Sequence, residues 1–168
     1  GIEFASEVVG GAIPREFIPA VEAGVRRAAQ LGPLAGYPAV DFRVLLLDGA
    51  FHERDSSALA FELAAAAAWR EAFAQAAPVV LEPVMAVEVL SPVEHLGDVI
   101  GDLHRRRGAV RSQGARGNTA VLEAHVPLKE MFGYIGGLRA LSSGRAQYSM
   151  QLDHYAVAPL ATREALAA

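Results

Sequence analysis

The stretch LLDGAFHERDSS, residues 46–57, decides the fold of the first half of the chain because it joins two different periodicities. Before it, apolar and polar residues alternate from Val40 to Leu47, which predicts a half-buried strand. After it, an alanine-rich pattern from Ser57 to Ala77 predicts a long helix. The residues from Asp55 to Ser57 are N-cap types, so the stretch forms a short loop that a strand and a helix hold in place.

The outer part of this loop is the first candidate site, because function concentrates on loops that a rigid scaffold positions. His52 and Arg54 can hydrogen-bond phosphates or base edges, and Phe51 can support the loop or stack on a base. The candidate tip residues are Phe51, His52, Glu53, Arg54, Asp55 and Ser56.

Three other interpretations of the same loop stay open. His52 with Asp55 and Ser56 could form a nucleophilic triad, and His52 with Glu53 could form a metal pair. Residues adjacent in sequence seldom converge on one point, however, and no partner motif elsewhere supports either arrangement. A plain solvated loop is the third interpretation.

Composition narrows the function classes. The 168 residues include no cysteine, which excludes disulfides, Cys-ligated zinc, iron–sulfur clusters and a thiol nucleophile. The net charge of −4 argues against nucleic-acid binding driven by bulk charge, although 14 of the 15 basic residues are arginine. No apolar run approaches the roughly 18 residues of a spanning helix. No signal peptide opens the chain, so we expect a cytoplasmic protein without a membrane partner.

The first half predicts an α+β arrangement with a short sheet. Strand patterns occur at Glu3–Val9, Val40–Leu47 and Val79–Leu81, and helix patterns follow the first two of these. Three strands for two helices suggest a sheet that lacks a member. Since the chain opens with Gly1 inside a strand pattern, we expect it to be a fragment of a longer protein.

A second unit is expected after a boundary at Glu82-Pro83. The pattern there predicts the order β-α-β-β-α-β, the ferredoxin-like split motif, in which a four-stranded antiparallel sheet carries both helices on one face. Ser91 to Glu94 reads as a capping box that opens the first helix. The predicted strands are Met85–Leu90, Ala109–Gln113, Thr119–Val126 and Arg145–Tyr155.

The second half offers further charged and histidine residues but no nucleotide loop. Neither G-x-x-x-x-G-K-[ST] nor a strand-borne G-x-G-x-x-G occurs. His125 and His154 fall in strand patterns, where we expect a structural role. Five arginines are expected at one helix end and the next hairpin, either as a phosphate-binding surface or as helix-end complementation. They are Arg105, Arg106, Arg107, Arg111 and Arg116.

A series of short motifs runs along nearly the whole chain, from Gly1 to about Pro159. They are Val9–Pro14, Ile18–Val21, Leu34–Pro38, Asp48–Ser57, Leu81–Pro83, Gly97–Leu103, Arg106–Gly108, Val126–Leu128 and Glu130–Tyr134. In order and spacing these motifs resemble bacterial elongation factor G, a ribosomal translocase of the translational GTPase family.

The resemblance implies an organisation for the chain. Residues 1–82 resemble the family's fourth domain, with the ribosomal protein S5 domain 2-like fold, and residues 84–159 resemble its fifth, ferredoxin-like domain. Residues 160–168 form a C-terminal tail. The family's first strand of the fourth domain, and a Gly-rich loop that shares its tip, lie upstream of Gly1.

The resemblance also implies partners. The tip loop reaches the decoding region of 16S rRNA beside tRNA and mRNA, with His52 as the functional tip histidine. The fifth domain faces 23S rRNA and large-subunit proteins, which makes the five arginines candidate rRNA contacts. No residue here is catalytic and none binds a cofactor or metal, because GTP and Mg²⁺ belong to the parent's GTPase domain. The parent is expected to act as a monomer.

Other functions compete with translocation. Within the family, a paralogue could act in ribosome recycling or in protection against an antibiotic. Outside it, the second half could be a stand-alone ferredoxin-like domain that binds a small molecule, since that fold hosts many functions. A metabolic enzyme that uses His52 and Asp55 is the third competitor.

Overall fold

The computed structural model describes residues 1–167, which divide into two compact units. The first contains Gly1–Val79 together with the residues from Leu160 onward, and the second contains Val80–Pro159. The division thus falls three residues before the expected boundary, because Glu82 and Pro83 lie inside the first strand of the second unit.

The first unit is a two-stranded parallel sheet with two long helices. Strand β1 (Ile2–Ser6) pairs with β2 (Phe42–Leu46), while α1 (Ile18–Ala29) and α2 (Ala58–Gln75) follow the respective strands. The prediction of a third strand at Val79–Leu81 is wrong. Val79 is exposed, and Leu81 begins the long first strand of the second unit, so this apolar run introduces the next sheet.

The helices of the first unit bury a stripe of apolar side chains at helical spacing. Val21, Val25 and Ala28 of α1 are all less than 7% exposed, as the i, i+4, i+7 pattern predicts. Trp69 of α2 is buried with Val25 and Ala28 and stacks on Phe73 with ring centroids 4.7 Å apart. Helix α2 begins where the Ser57 hydroxyl accepts a hydrogen bond from the Ala60 N–H at 3.0 Å, which confirms an N-cap in the predicted stretch.

The second unit has the predicted ferredoxin-like order, and the α+β class is confirmed. Its elements are β3 (Leu81–Pro92), α3 (Leu96–Arg105), β4 (Ala109–Arg116), β5 (Thr119–Pro127), α4 (Tyr134–Leu141) and β6 (Gln147–Val157). All neighbouring strands are antiparallel, in the order β4-β5-β3-β6. Val99 and Leu103 of α3 and Leu138 of α4 pack with sheet residues in one buried cluster, so both helices cover one face.

The expected capping box at Ser91–Glu94 does not form. Ser91 is still part of β3, and its hydroxyl donates to the Pro92 carbonyl at 3.1 Å. A 3-10 turn over Val93–His95 separates the strand from α3, so Ser91 lies too far from the helix start to cap it. Glu94 instead accepts a hydrogen bond from Arg145 at 2.5 Å, joining the 3-10 turn to the segment before β6.

Two β-bulges interrupt the edge strands of this sheet. In β4, Val110 lies opposite Ala124 and Ser112 lies opposite Glu123, so Arg111 is an extra residue. In β6, His154 lies opposite Val84 and Leu152 lies opposite Met85, which leaves Asp153 as the extra residue. A bulge bends its strand and re-aims the local side chains.

The residues expected as a C-terminal tail contain a further helix, α5 (Leu160–Ala167), which belongs to the first unit. Among the helices in the described part of the chain, none combines the length and the apolar character needed to cross a membrane.

Candidate functional site

The tip loop, residues 48–56, follows β2 and has a closely packed glycine near its start. A Cβ at Gly49 would lie 2.5 Å from the Cδ1 atom of Ile13, which is only 4% exposed. The Gly49 N–H donates to the Asp48 carboxylate at 2.8 Å. The Asp48-Gly49 pair therefore holds the base of the loop against the core of the first unit.

Phe51 supports the loop from inside. Its ring stacks on Phe17 with centroids 5.7 Å apart, and Phe17 stacks on Phe61 at 4.9 Å. Phe61 is buried, so the three rings connect the loop to the core between α1 and α2. Of the two roles that the sequence left open for Phe51, the structure provides the contacts for support.

The outer residues close into a hydrogen-bonded turn, His52–Ser56, which we call the tip turn. The His52 carbonyl accepts from the N–H groups of Asp55 and Ser56 at 3.2 and 2.9 Å. The Ser56 hydroxyl accepts in return from the His52 N–H at 2.8 Å. Ser56 was one of three candidate helix caps, but it closes the tip turn while Ser57 caps the helix. Backbone groups thus hold the turn's shape.

The His52 imidazole sits above the tip turn with two competing contacts. Its Nδ1 atom lies 3.4 Å from the Arg54 N–H and 3.3 Å from the Asp55 carboxylate. The first contact requires a lone pair on Nδ1 and the second requires a proton, so only one forms at a time. The side chains of His52 and Asp55 are 67% and 84% exposed. Within the described chain, Ser56 makes its hydrogen bond to backbone rather than to His52's ring, which is not the geometry of a triad.

The charged side chains of the tip turn point to solvent. Glu53 and Arg54 are exposed and form no ion pair with any other residue that the structure describes. The tip turn therefore presents a histidine, an arginine and two carboxylates on a backbone that is already internally bonded.

The arginines of the second unit are bound to the protein to different degrees. Arg106 donates to Asp102 at 2.9 Å and to the Glu130 carbonyl at 2.6 Å. Its guanidinium lies 5.0 Å from the ring centroid of Tyr134, a cation–π contact. Burial, with the nearby charge of Asp102, raises the pKa of the Tyr134 hydroxyl well above its ordinary value. Arg106 therefore joins α3 to the segment before α4.

Arg107 lies two residues after the end of α3 and holds a buried carboxylate. Its guanidinium donates to both oxygens of Glu82 at 2.6 and 3.3 Å, and Glu82 is 8% exposed. Hydrogen bonding to Glu82 raises the pKa of Arg107. Arg107 has a φ of 60°, the left-handed conformation that usually selects glycine after a helix. The glycine that follows, Gly108, is required by space, because a Cβ there would lie 2.6 Å from the Leu103 carbonyl oxygen.

The five arginines, expected at one helix end and the next hairpin, do not gather into a single cluster. Arg107 reaches Glu82 at the start of β3, whereas Arg116 pairs with Thr119, which lies opposite Pro92 at the end of β3. Arg111 lies between them in the β4 bulge. The reason is that β4 runs the length of the sheet away from the end of α3. Arg105, with a side chain 70% exposed, forms an ion pair with Asp102 at the surface.

Comparison with known proteins identifies the family to which this chain is similar. A model described as elongation factor G, domain IV, matches residues 1–77, and one described as elongation factor G C-terminus matches residues 79–166. Elongation factor G 2 of Hahella chejuensis is 57% identical over 166 residues, which cover 99% of this chain and 24% of that protein. Elongation factor G of Paracoccus denitrificans is 55% identical over 159 residues, covering 95% and 22% respectively.

A solved structure agrees with these matches. A crystal structure of a protein from Thermus thermophilus has a TM-score of 0.89 and 38% identity, over 98% of this chain and 25% of that one. The chain spans about a quarter of the length of the relatives it matches. Because the two family models together cover both units, the chain belongs to the elongation factor G family.

Proposed function

We propose that the chain is the part of a translation elongation factor that contacts the ribosome during GTP-dependent translocation of tRNA and mRNA. The observation that carries the proposal is the tip turn, a backbone-closed loop with exposed His52 and Arg54, in a chain of this family. Its action is mechanical, since the tip occupies space beside the tRNA and no covalent bond changes.

The geometry of the tip turn suits this role. The N–H groups of His52, Asp55 and Ser56 are bonded within the loop, so contact with RNA costs little ordering of the chain. His52 and Arg54 can then donate to phosphates and base edges of 16S rRNA, tRNA or mRNA. Glu53 and Asp55 keep the tip from binding RNA indiscriminately, since they oppose phosphate charge.

For the second unit we propose contact with 23S rRNA and large-subunit proteins through the arginines that the fold leaves available. Arg105, Arg111 and Arg116 are exposed, whereas Arg106 and Arg107 chiefly hold α3 in place. GTP and Mg²⁺, in this proposal, are bound by the parent protein outside these residues. The parent acts as a monomer in the cytoplasm.

The test is the His52→Ala variant of the full-length parent in a single-turnover translocation assay. We expect translocation to slow on the order of tenfold, because the variant loses one charge-assisted hydrogen bond. The rate of ribosome-stimulated GTP hydrolysis should not change. The matched control is His104→Ala, an exposed histidine on α3. Equal translocation rates for both variants would contradict the proposal. A parent that splits ribosomal subunits without translocating would instead establish the recycling function.

A further inference from the structure

Three side chains on the sheet of the second unit have no part in the proposed function. His154 Nδ1 lies 2.6 Å from one Asp153 oxygen, and His125 Nε2 lies 3.6 Å from the other. The two imidazole rings are 5.6 Å apart. One ligand-type atom from each of the three residues lies within 4.8 Å of the others. We call these residues, His125, Asp153 and His154, the histidine–aspartate cluster.

The β6 bulge explains why two consecutive residues share this cluster. In a regular strand successive side chains point to opposite faces, so an Asp-His pair cannot converge on one point. Asp153 is the extra residue of the bulge and His154 follows it, lying opposite Val84. The bulge re-aims the two side chains onto the same face. The sequence pattern predicted only two structural histidines, because a bulge depends on how the strands pair.

A small residue on the central strand leaves room for the cluster. His125 on β5 lies opposite Ala86 of β3, and β3 separates β5 from β6. Two strand spacings amount to about 9.6 Å. The two imidazole rings nevertheless lie 5.6 Å apart, so the side chains approach each other across β3.

We propose that the histidine–aspartate cluster binds a divalent transition-metal ion of the Zn²⁺ class. Two imidazole nitrogens and one carboxylate are a donor set that such ions prefer, with water completing the coordination. Bond lengths of about 2.0–2.1 Å in a tetrahedral site put ligand atoms roughly 3.4 Å apart. One ligand atom from each of the three residues lies within 4.8 Å of the others, so binding requires the side chains to adjust to that spacing. Mg²⁺ and Ca²⁺ require more oxygen ligands than the cluster has.

One neighbouring charge opposes metal binding. Arg111 lines the same surface pocket as His125, so its positive charge repels a bound cation. Its removal should therefore strengthen metal binding.

Binding would have a mechanical consequence for the second unit. The ion would link β5 directly to β6, two strands that otherwise meet only through β3. Because an ion that binds the folded state alone raises its stability, the melting temperature should rise with metal concentration.

The experiment is calorimetric titration of ZnCl₂ into the purified 168-residue chain after treatment with a chelator. We expect one site. Asp153→Asn keeps the shape of the side chain but removes its charge, and His125→Ala removes an imidazole. Each should weaken Zn²⁺ binding at least about tenfold, because even the loss of a group that only hydrogen-bonds to a metal ligand lowers metal affinity roughly 10- to 100-fold. The Arg111→Ala variant should bind Zn²⁺ more tightly than the original chain does. His104→Ala, which removes an exposed histidine of α3, is the matched control and should bind as the original chain does.

The contrary results are equally specific. The site is absent if Asp153→Asn and His125→Ala titrate like the original chain, or if His104→Ala loses as much affinity as they do. Circular dichroism of each variant confirms that the sheet is intact. MgCl₂ serves as the second probe, and binding of Mg²⁺ comparable to that of Zn²⁺ would overturn the assignment to the transition-metal class.

Discussion

The tip loop and the arginines of the second unit are both candidate contact surfaces from the sequence, but the structure uses their polar groups in opposite ways. In the tip turn, hydrogen bonds among backbone groups and the Ser56 hydroxyl hold the loop closed, and the charged side chains remain exposed. Around the end of α3, the charged side chains themselves hold the fold, with Arg107 on Glu82 and Arg106 on Asp102 and Glu130.

The difference teaches how to assess charge in a sequence. A loop closed by backbone hydrogen bonds can present its side chains to a partner without losing its shape. In a run of arginines at a helix end, some side chains are bonded to groups of the same protein and are therefore not available to a partner. Charge density along the chain therefore overestimates the binding surface of the second unit, while the tip loop keeps nearly all of its charge available.

The largest expected effect comes from the arginine that holds a buried carboxylate. Arg107→Ala should lower the free energy of unfolding of the second unit by about 3 kcal/mol, the low end for a buried pair because Arg107 is itself partly exposed. Hydrogen exchange of the β3 and β5 amides measures this. Arg105→Ala is the matched control, expected within about 0.5 kcal/mol of the original chain because its ion pair lies at the surface.

A second variant separates the ion pair from the backbone. Arg107→Gly also loses the pair but removes the left-handed strain at φ 60°, so it should be more stable than Arg107→Ala by about 1 kcal/mol. If Arg105→Ala proves as destabilising as Arg107→Ala, the distinction between structural and available arginines fails. Trp69 lies in the first unit, so its fluorescence provides a separate record of that unit's unfolding.

Local signals in the sequence predicted more of this structure than long-range ones did. Period-two and helical patterns indicated the antiparallel βαββαβ order, and the polar loop before α2 identified the exposed tip. The Glu82–Arg107 pair joins residues 25 apart, and the sequence pattern of a helix end contains no information about it. The same reason accounts for the false capping box, since Glu94 bonds to Arg145, 51 residues away.

The β-bulges were unpredictable for a related reason. Whether Asp153 is an extra residue depends on the register between β6 and β3, which alternation within β6 alone does not specify. The missing third strand of the first unit is a similar case. Val79–Leu81 has strand composition, but which sheet it joins is decided by the strands that follow it.

An intermediate effect tests whether the shape of the tip turn matters. Ser56→Ala removes the hydroxyl that accepts from the His52 N–H, and Ser57→Ala removes the one that accepts from Ala60. Each should cost about 1 kcal/mol of stability in the first unit, measured by Trp69 fluorescence in urea. Only Ser56→Ala should also slow translocation by the full-length parent, because it alone opens the tip turn. Equal slowing by both would show that general stability, rather than tip shape, limits the step.

The smallest stability effect is expected at the arginine farthest from the end of α3. Arg116 lies at the β4–β5 hairpin and forms no ion pair with another described residue, so Arg116→Ala should change stability by no more than about 0.5 kcal/mol. If it contacts an rRNA phosphate, the slope of log affinity for ribosomes against log salt should fall by about 0.7–0.9. Arg106→Ala should show the reverse, a clear loss of stability with an unchanged salt slope, because its guanidinium already binds Asp102 and Glu130. A lower salt slope for Arg106→Ala than for Arg116→Ala would mean that the structural arginines also contact RNA, and the two regions would then differ less than their geometry indicates.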